Sequence, residues 1–196
     1  KGHAAGYRVL SLLIASYKRA VLAWGLPLDK PKLENVRLGA RKVKEARSIL
    51  PVEVKDGPLM ENVLQGDKVD ILRFPAPLYH GADGGRYIGT GDAVINRDPE
   101  TGYVNMGTYR VQVHDRNLLG LWMSPGQHGR QICQRYWERG ESCPIVAVFG
   151  MDPLTFMAAQ SRLPWGKPEL EFAGGLRGRP VEVVKGPLTG LPIPAH

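Results

Sequence analysis

Residues 103–128, YVNMGTYRVQVHDRNLLGLWMSPGQH, constrain this chain more than any other stretch. β-Branched and aromatic residues crowd positions 103–113, and Val111 and Val113 alternate with Gln112, the period of a half-buried strand. Asp115, Arg116 and Asn117 supply turn chemistry; a second apolar run follows over 118–123, and Ser124-Pro125-Gly126 stops it. Two strands and a turn therefore carry Asn105, Arg110, Gln127 and His128 to positions from which they can face one pocket. Asn105 and Arg110 are five apart and would face opposite sides of a regular strand. If they share a site, Gly107 must mark a bulge or bend between them.

With Gly 24 and Pro 16 in 196 residues, the chain favours many turns and short strands over a helix bundle. Apolar and β-branched runs predict strands over 52–54, 69–72, 87–95, 103–113, 118–123, 145–150 and 181–185, with a hairpin loop over 96–102. Helical spacing predicts helices over 4–24 and 33–50, a short one over 58–64, and another over 127–139 capped by Gly140. A last helix is expected over 153–160 with Asp152 as its N-cap. The expected class is α+β: an antiparallel barrel with inserted helices, preceded by an N-terminal helical segment. The division falls between a segment over 1–63 and a barrel domain over 64–196.

The net charge of +7 is unevenly placed, since residues 1–49 hold 11 Lys and Arg against 3 Asp and Glu. Aromatic residues scarcely interleave with these charges, so they read as a solvated helix face against a neighbouring domain, with no nucleic acid as partner. The longest apolar run, 9–15, is too short for a membrane span. Cys133 and Cys143 lack CxxC spacing, which speaks for a reduced, cytoplasmic setting and against a disulfide or zinc site. The chain starts without Met and ends on Pro194-Ala195-His196, so a segment of a larger protein is expected.

The series V-N-M-G-T-Y-R at 104–110, V-H-D-R-N-L-L-G-L at 113–121 and P-G-Q-H-G-R-Q-I at 125–132 resembles the cofactor-binding segment of the UbiD family, decarboxylases that use prenylated FMN. The likeness extends upstream through Asp83-Gly84-Gly85-Arg86-Tyr87-Ile88 and downstream through Val148-Phe149-Gly150 to Pro153, covering roughly 64–196. It implies a split barrel like that of flavin reductases, which agrees with the reading from strands and turns.

The resemblance also implies a site. Asn105, His128 and Glu169 would hold Mn²⁺ (or Mg²⁺), which in turn grips the flavin phosphate; an amide oxygen, an imidazole and a carboxylate suit such a cation better than a thiolate-loving one. Glu171, two residues on, competes with Glu169 for the last place. Arg110 would be catalytic, lying beside the reactive part of the cofactor with a planar fork fit for a carboxylate. Gln127 would hydrogen-bond the flavin, and the backbone of Met106, Gly107 and Thr108 would line its ring. Ala158, Ala159 and Gln160 fall at a potassium- and phosphate-binding turn, where Met106 and Ala159 depart from the family's usual residues. The implied reaction is reversible decarboxylation of an aromatic or α,β-unsaturated acid through a covalent cofactor adduct, releasing CO₂. The family's two catalytic Glu residues lie outside the matched stretch. A further domain, another subunit or a homo-oligomer would have to supply the acid, and the chain alone would not turn over.

Singly, each residue has a plainer reading: Asn105 as a strand-end turn, His128 as a buried or capping histidine, Glu169 as a solvated acid, Arg110 as a surface cation. Two other functions fit the same stretch. One is an FMN-binding split-barrel oxidoreductase or flavin carrier, which needs no divalent metal. The other is a non-catalytic assembly subunit of a decarboxylase complex.

Overall fold

The computed structural model describes residues 47–196 and, before them, two strands, β1 (Ala5–Arg8) and β2 (Ser11–Ile14). The strands that follow are β3 (Val52–Glu53), β4 (Asn62–Gln65), β5 (Tyr87–Gly89), β6 (Asp92–Arg97), β7 (Val104–Gly107), β8 (Arg110–Asp115) and β9 (Leu118–Trp122). Helix α1 (His128–Glu138), β10 (Val146–Phe149), α2 (Pro153–Ala159), α3 (Glu169–Arg177), β11 (Glu182–Lys185) and β12 (Pro192–Pro194) complete the order. The described strands form sheets β1-β9-β8-β5, β10-β6-β7, β12-β11-β3 and β2-β4. Pairing is antiparallel throughout except between β3 and β11.

Strand β6 divides the packing. Asp92 through Asn96 are each 0% exposed, because both faces of the strand meet protein. Ala93 and Ile95 join a core with Met106 and Val148, closed by Ala158 and Ala159 of α2, Leu170 of α3 and Val183 of β11. Val94 points the other way, into a core with Tyr109, Val111, Leu121 and, from α1, Ile132 and Cys133. Period-two alternation thus serves two cores from one strand, each buried aliphatic side chain stabilising by about 1.5–3 kcal/mol. Asp92 and Asn96 lie on the Val94 face, Asn96 against α1 and Asp92 near Tyr109.

The stretch 103–113 is two strands. β7 belongs to the sheet of β6, β8 to that of β9, and the chain crosses from one to the other at Thr108-Tyr109. The bend that a shared site demands is therefore present, and Gly107 shows why it is glycine: a Cβ there would stand 2.9 Å from the Tyr109 ring.

Other expectations needed correction. The strand over 87–95 breaks into β5 and β6 at Thr90-Gly91. Residues 69–72 form no strand; Asp70 accepts the N–H of Leu72 and winds Ile71–Arg73 into a 3₁₀ turn. The helix over 58–64 shrinks to a 3₁₀ turn at Pro58–Met60, and the remainder is β4 paired with β2. Within 4–24, β1 and β2 pair with β9 and β4, so sheet pairing there overrides the helical spacing. The rest of that helix, and the one over 33–50 up to residue 46, lie outside the described residues; 47–50 carry no regular structure. Helix α3 was missed, because Pro164 and Pro168 made its approach read as loop. The helices over 127–139 and 153–160 are α1 and α2, with Gly140 at φ 71 behind α1 and Asp152 accepting the N–H groups of Leu154 and Thr155.

Candidate cofactor and metal site

The turn before α1 needs a left-handed residue, and Gly126 (φ 85) supplies it. Gln127 donates its N–H to the Ser124 carbonyl (3.3 Å), which sets Gln127 at the N-cap and His128 at the first helical position. The His128 ring then stands between two aromatic neighbours. Its Nδ1 is 3.3 Å from the Tyr103 hydroxyl, and its centroid is 5.1 Å from that of Trp165, edge to face.

Glu169 opens α3 and is only 3% exposed, with Oε2 accepting the backbone N–H of Met106 at 2.9 Å. Burial raises its pKa to about 7 against the pull of the N–H groups of Met106 and of Glu169 itself. The carboxylate in turn helps to hold the Tyr103 and Tyr109 hydroxyls protonated, after burial, which is the larger cause for both. Asn105, next to Met106 on β7, is 2% exposed; its Nδ2 donates to Asn96 Oδ1 at 3.2 Å, and the Tyr109 hydroxyl lies within its reach. The structure thus gathers Asn105, His128 and Glu169 around the Tyr103–Tyr109 pair. Glu171, two residues along α3, is half-buried and lies on another face of the helix.

A buried carboxylate is expected to be paired or to meet a cation. Among the described residues no basic side chain shifts Glu169. An amide oxygen and an imidazole nitrogen together with such a carboxylate fit a hard divalent ion. Among the described residues no three or more His, Cys, Asp or Glu cluster as a metal site.

On the other side of the β7–β8 crossing opens a cleft of about 340 Å³, lined by Thr108, Tyr109, Arg110, Trp122, Ser124 and Gln127. That volume is at the low end for small-molecule pockets. Arg110 pairs in register with Trp122 across β8 and β9, so an exposed guanidinium and a half-exposed indole stand side by side. No acidic residue lines this cleft. Met106 turns its side chain into the core, so only its backbone is available to a ligand. Ala158 and Ala159 are also core residues, while Gln160 is the exposed C-cap of α2.

Sequence reading missed Asn96, Tyr103, Tyr109 and Trp165. A signal existed for Asn96: a polar residue directly after the apolar run Ala93-Val94-Ile95. The aromatic box around His128 had none, because Trp165 comes from a loop far along the chain.

A family model described as "UbiD: 3-octaprenyl-4-hydroxybenzoate carboxy-lyase Rift-related domain" matches residues 51–196. The chain is 35% identical over 181 residues to a pyrrole-2-carboxylic acid decarboxylase of Pseudomonas aeruginosa, covering 92% of this chain and 36% of that protein. It is 34% identical over 194 residues to a phenolic acid decarboxylase of a Streptomyces species, covering 95% and 40%. Among solved structures, an evolved dimeric form of the UbiD-class enzyme HmfF from Pelotomaculum thermopropionicum, in complex with prFMN, superposes with a TM-score of 0.77. That match is 26% identical and covers 93% of this chain and 41% of that one. The chain therefore spans about two fifths of the length of the relatives it matches.

Proposed function

The chain belongs to the UbiD family, and from that premise we propose that it forms the cofactor- and metal-binding portion of a reversible decarboxylase for aromatic or α,β-unsaturated carboxylic acids. The observation that carries this reading is Glu169: a buried carboxylate with no basic side chain beside it among the described residues, fixed to β7 beside Asn105. Mn²⁺ or Mg²⁺ would be held by Asn105, His128 and Glu169 and would grip the phosphate of prenylated FMN. Bound there, the prenylated flavin would take up the charge left when CO₂ departs from a covalently held substrate.

This chain's own residues would orient and polarise. Arg110 would hold the substrate carboxylate or the flavin edge through its planar fork, with Trp122 beside it. Gln127 and the backbone of Met106, Gly107 and Thr108 would meet the flavin ring. Tyr103 would keep the His128 ring turned. A potassium ion at Ala158–Gln160 would rest on backbone carbonyls and Gln160, as neither alanine offers a ligand. The acid that returns the proton would come from a further domain, a partner subunit or a second copy, since none lines the cleft. We read residues 64–196 as the cofactor domain, a split barrel, following a distinct segment over 1–63, and place the protein in the cytoplasm on its cysteine usage. No helix among the described residues is long and apolar enough to cross a membrane.

The test is an anaerobic absorbance spectrum with mass analysis of the released flavin. The protein would be purified from cells that make prenylated FMN and are supplied with Mn²⁺, with His128→Ala in parallel. Prenylated flavin in the wild type and none in the variant is the expected result. Plain FMN retained equally by both would favour a flavin carrier, and no flavin in either would leave the assembly-subunit reading.

A further inference from the structure

Asn96 faces Asn105 directly across β6 and β7, on the side where α1 packs. It is 0% exposed and fully engaged: Nδ2 donates to the Gly129 carbonyl at 3.0 Å and approaches Cys133 Sγ at 3.6 Å, while Oδ1 accepts from Asn105 Nδ2 at 3.2 Å.

The sense of these bonds follows from chemistry. A backbone carbonyl can only accept, so the Asn96 group facing Gly129 must be its NH₂. The Asn96 oxygen then faces Asn105, and the Asn105 group that meets it must in turn be NH₂. Reversing either amide would set two acceptors against each other in a buried place, at a cost of about 1–3 kcal/mol. One carbonyl at the start of α1 thus orients two side-chain amides in series. The Asn105 oxygen is turned away from Asn96, with the Tyr109 hydroxyl within reach of the same amide. Gly129 directly follows His128, so the same relay ties two elements that carry candidate ligands.

We propose that Asn96 is a positioning residue for the divalent-cation site: it presents the oxygen of Asn105, not its NH₂, to the cation, and holds that oxygen in register with His128. This rests on the metal reading given above and adds a residue to it. Outer partners of this kind are typically worth about 10–100-fold in metal affinity.

The test is Mn²⁺ binding by electron paramagnetic resonance on wild type, Asn96→Val and Asn96→Thr, with thermal melts of each. Val and Thr have nearly the same shape and both suit a strand, but only Thr retains a hydroxyl that can donate and accept. The expected result is Mn²⁺ binding at least about tenfold weaker in Asn96→Val, and partial recovery in Asn96→Thr at a similar melting temperature. Wild-type affinity in Asn96→Val, or equal weakening in both variants, would overturn the proposal. If Asn96→Val does not fold, Asn96→Ala takes its place and is read by exchange of the Asn105 side-chain amide protons: faster exchange than in wild type supports the relay, and equal rates overturn it. A wild-type protein that binds no Mn²⁺ would instead sink the metal reading itself, and the relay with it.

Discussion

Glu169 accepts the backbone N–H of Met106 at 2.9 Å, joining the first turn of α3 to the strand that carries Asn105. A glutamine in its place keeps an acceptor for that N–H but removes the charge. Glu169→Gln should therefore fold without the cation while losing the stabilisation that Mn²⁺ gives. At a hundredfold excess over Kd, wild type should gain about 2.7 kcal/mol from the ion. Thermal melts with and without Mn²⁺ read this directly, and a variant still stabilised by Mn²⁺ would remove Glu169 from the ligand set.

Asp92 predicts a pH dependence. It is 0% exposed, among the described residues neither carboxyl oxygen has a well-aligned hydrogen-bond partner, and burial raises its pKa to about 7 against the weaker pull of its own N–H and that of Tyr109. The native state therefore keeps a proton that the unfolded chain gives up near pH 4. Stability is greatest below that point, falls as pH rises to about 7, and is level above. Glu169, also raised to about 7, adds a fall of the same sign in metal-free protein. Asp92→Asn should remove the Asp92 share, stabilising by roughly 1–3 kcal/mol at pH 8 and by little at pH 4.5. Urea unfolding at the two pH values checks it; an equal effect at both would contradict a neutral buried acid.

Gly129 marks the tightest packing near the site. A Cβ there would stand 2.6 Å from the Tyr109 hydroxyl, which also accepts the Gly129 N–H at 3.2 Å. Gly129→Ala should lower stability by about 1–3 kcal/mol. Adding Tyr109→Phe, which deletes the clashing oxygen, should recover part of that loss. A double variant no more stable than Gly129→Ala would place the strain elsewhere.

Arg110 is exposed at the mouth of the cleft, and among the described residues its guanidinium makes no ion pair or hydrogen bond. Arg110→Ala should shift stability by less than about 0.5 kcal/mol while weakening binding of an aromatic carboxylate several-fold in a calorimetric titration. A large loss of stability would show a structural role instead.

Local chemistry made some of this legible in the sequence. Asp152 and Gly140 bound their helices where capping chemistry says they should, β8 follows its apolar alternation and β9 its apolar run. What stayed hidden was set at long range. The helix expected over 4–24 yields at β1 and β2 to pairing with β9 and β4, partners far along the chain. The break at Thr108-Tyr109 follows from which sheet each half joins, and alternation alone cannot show that. Asn105 and Glu169 were both in view, but the bond from Met106 that brings them together depends on α3, whose start the prolines disguised. Asn96 meets Asn105 only once the register of β6 and β7 is known.

The central claim is that a divalent cation on Asn105, His128 and Glu169 holds the flavin phosphate, and equilibrium dialysis of FMN against this protein tests it most directly. With Mn²⁺ present, wild type should retain flavin; with a chelator, or in Asn105→Ala at any Mn²⁺ concentration, retention should fall at least about tenfold. Equal retention with Mn²⁺ and with chelator would contradict the claim and leave a flavin site that needs no metal.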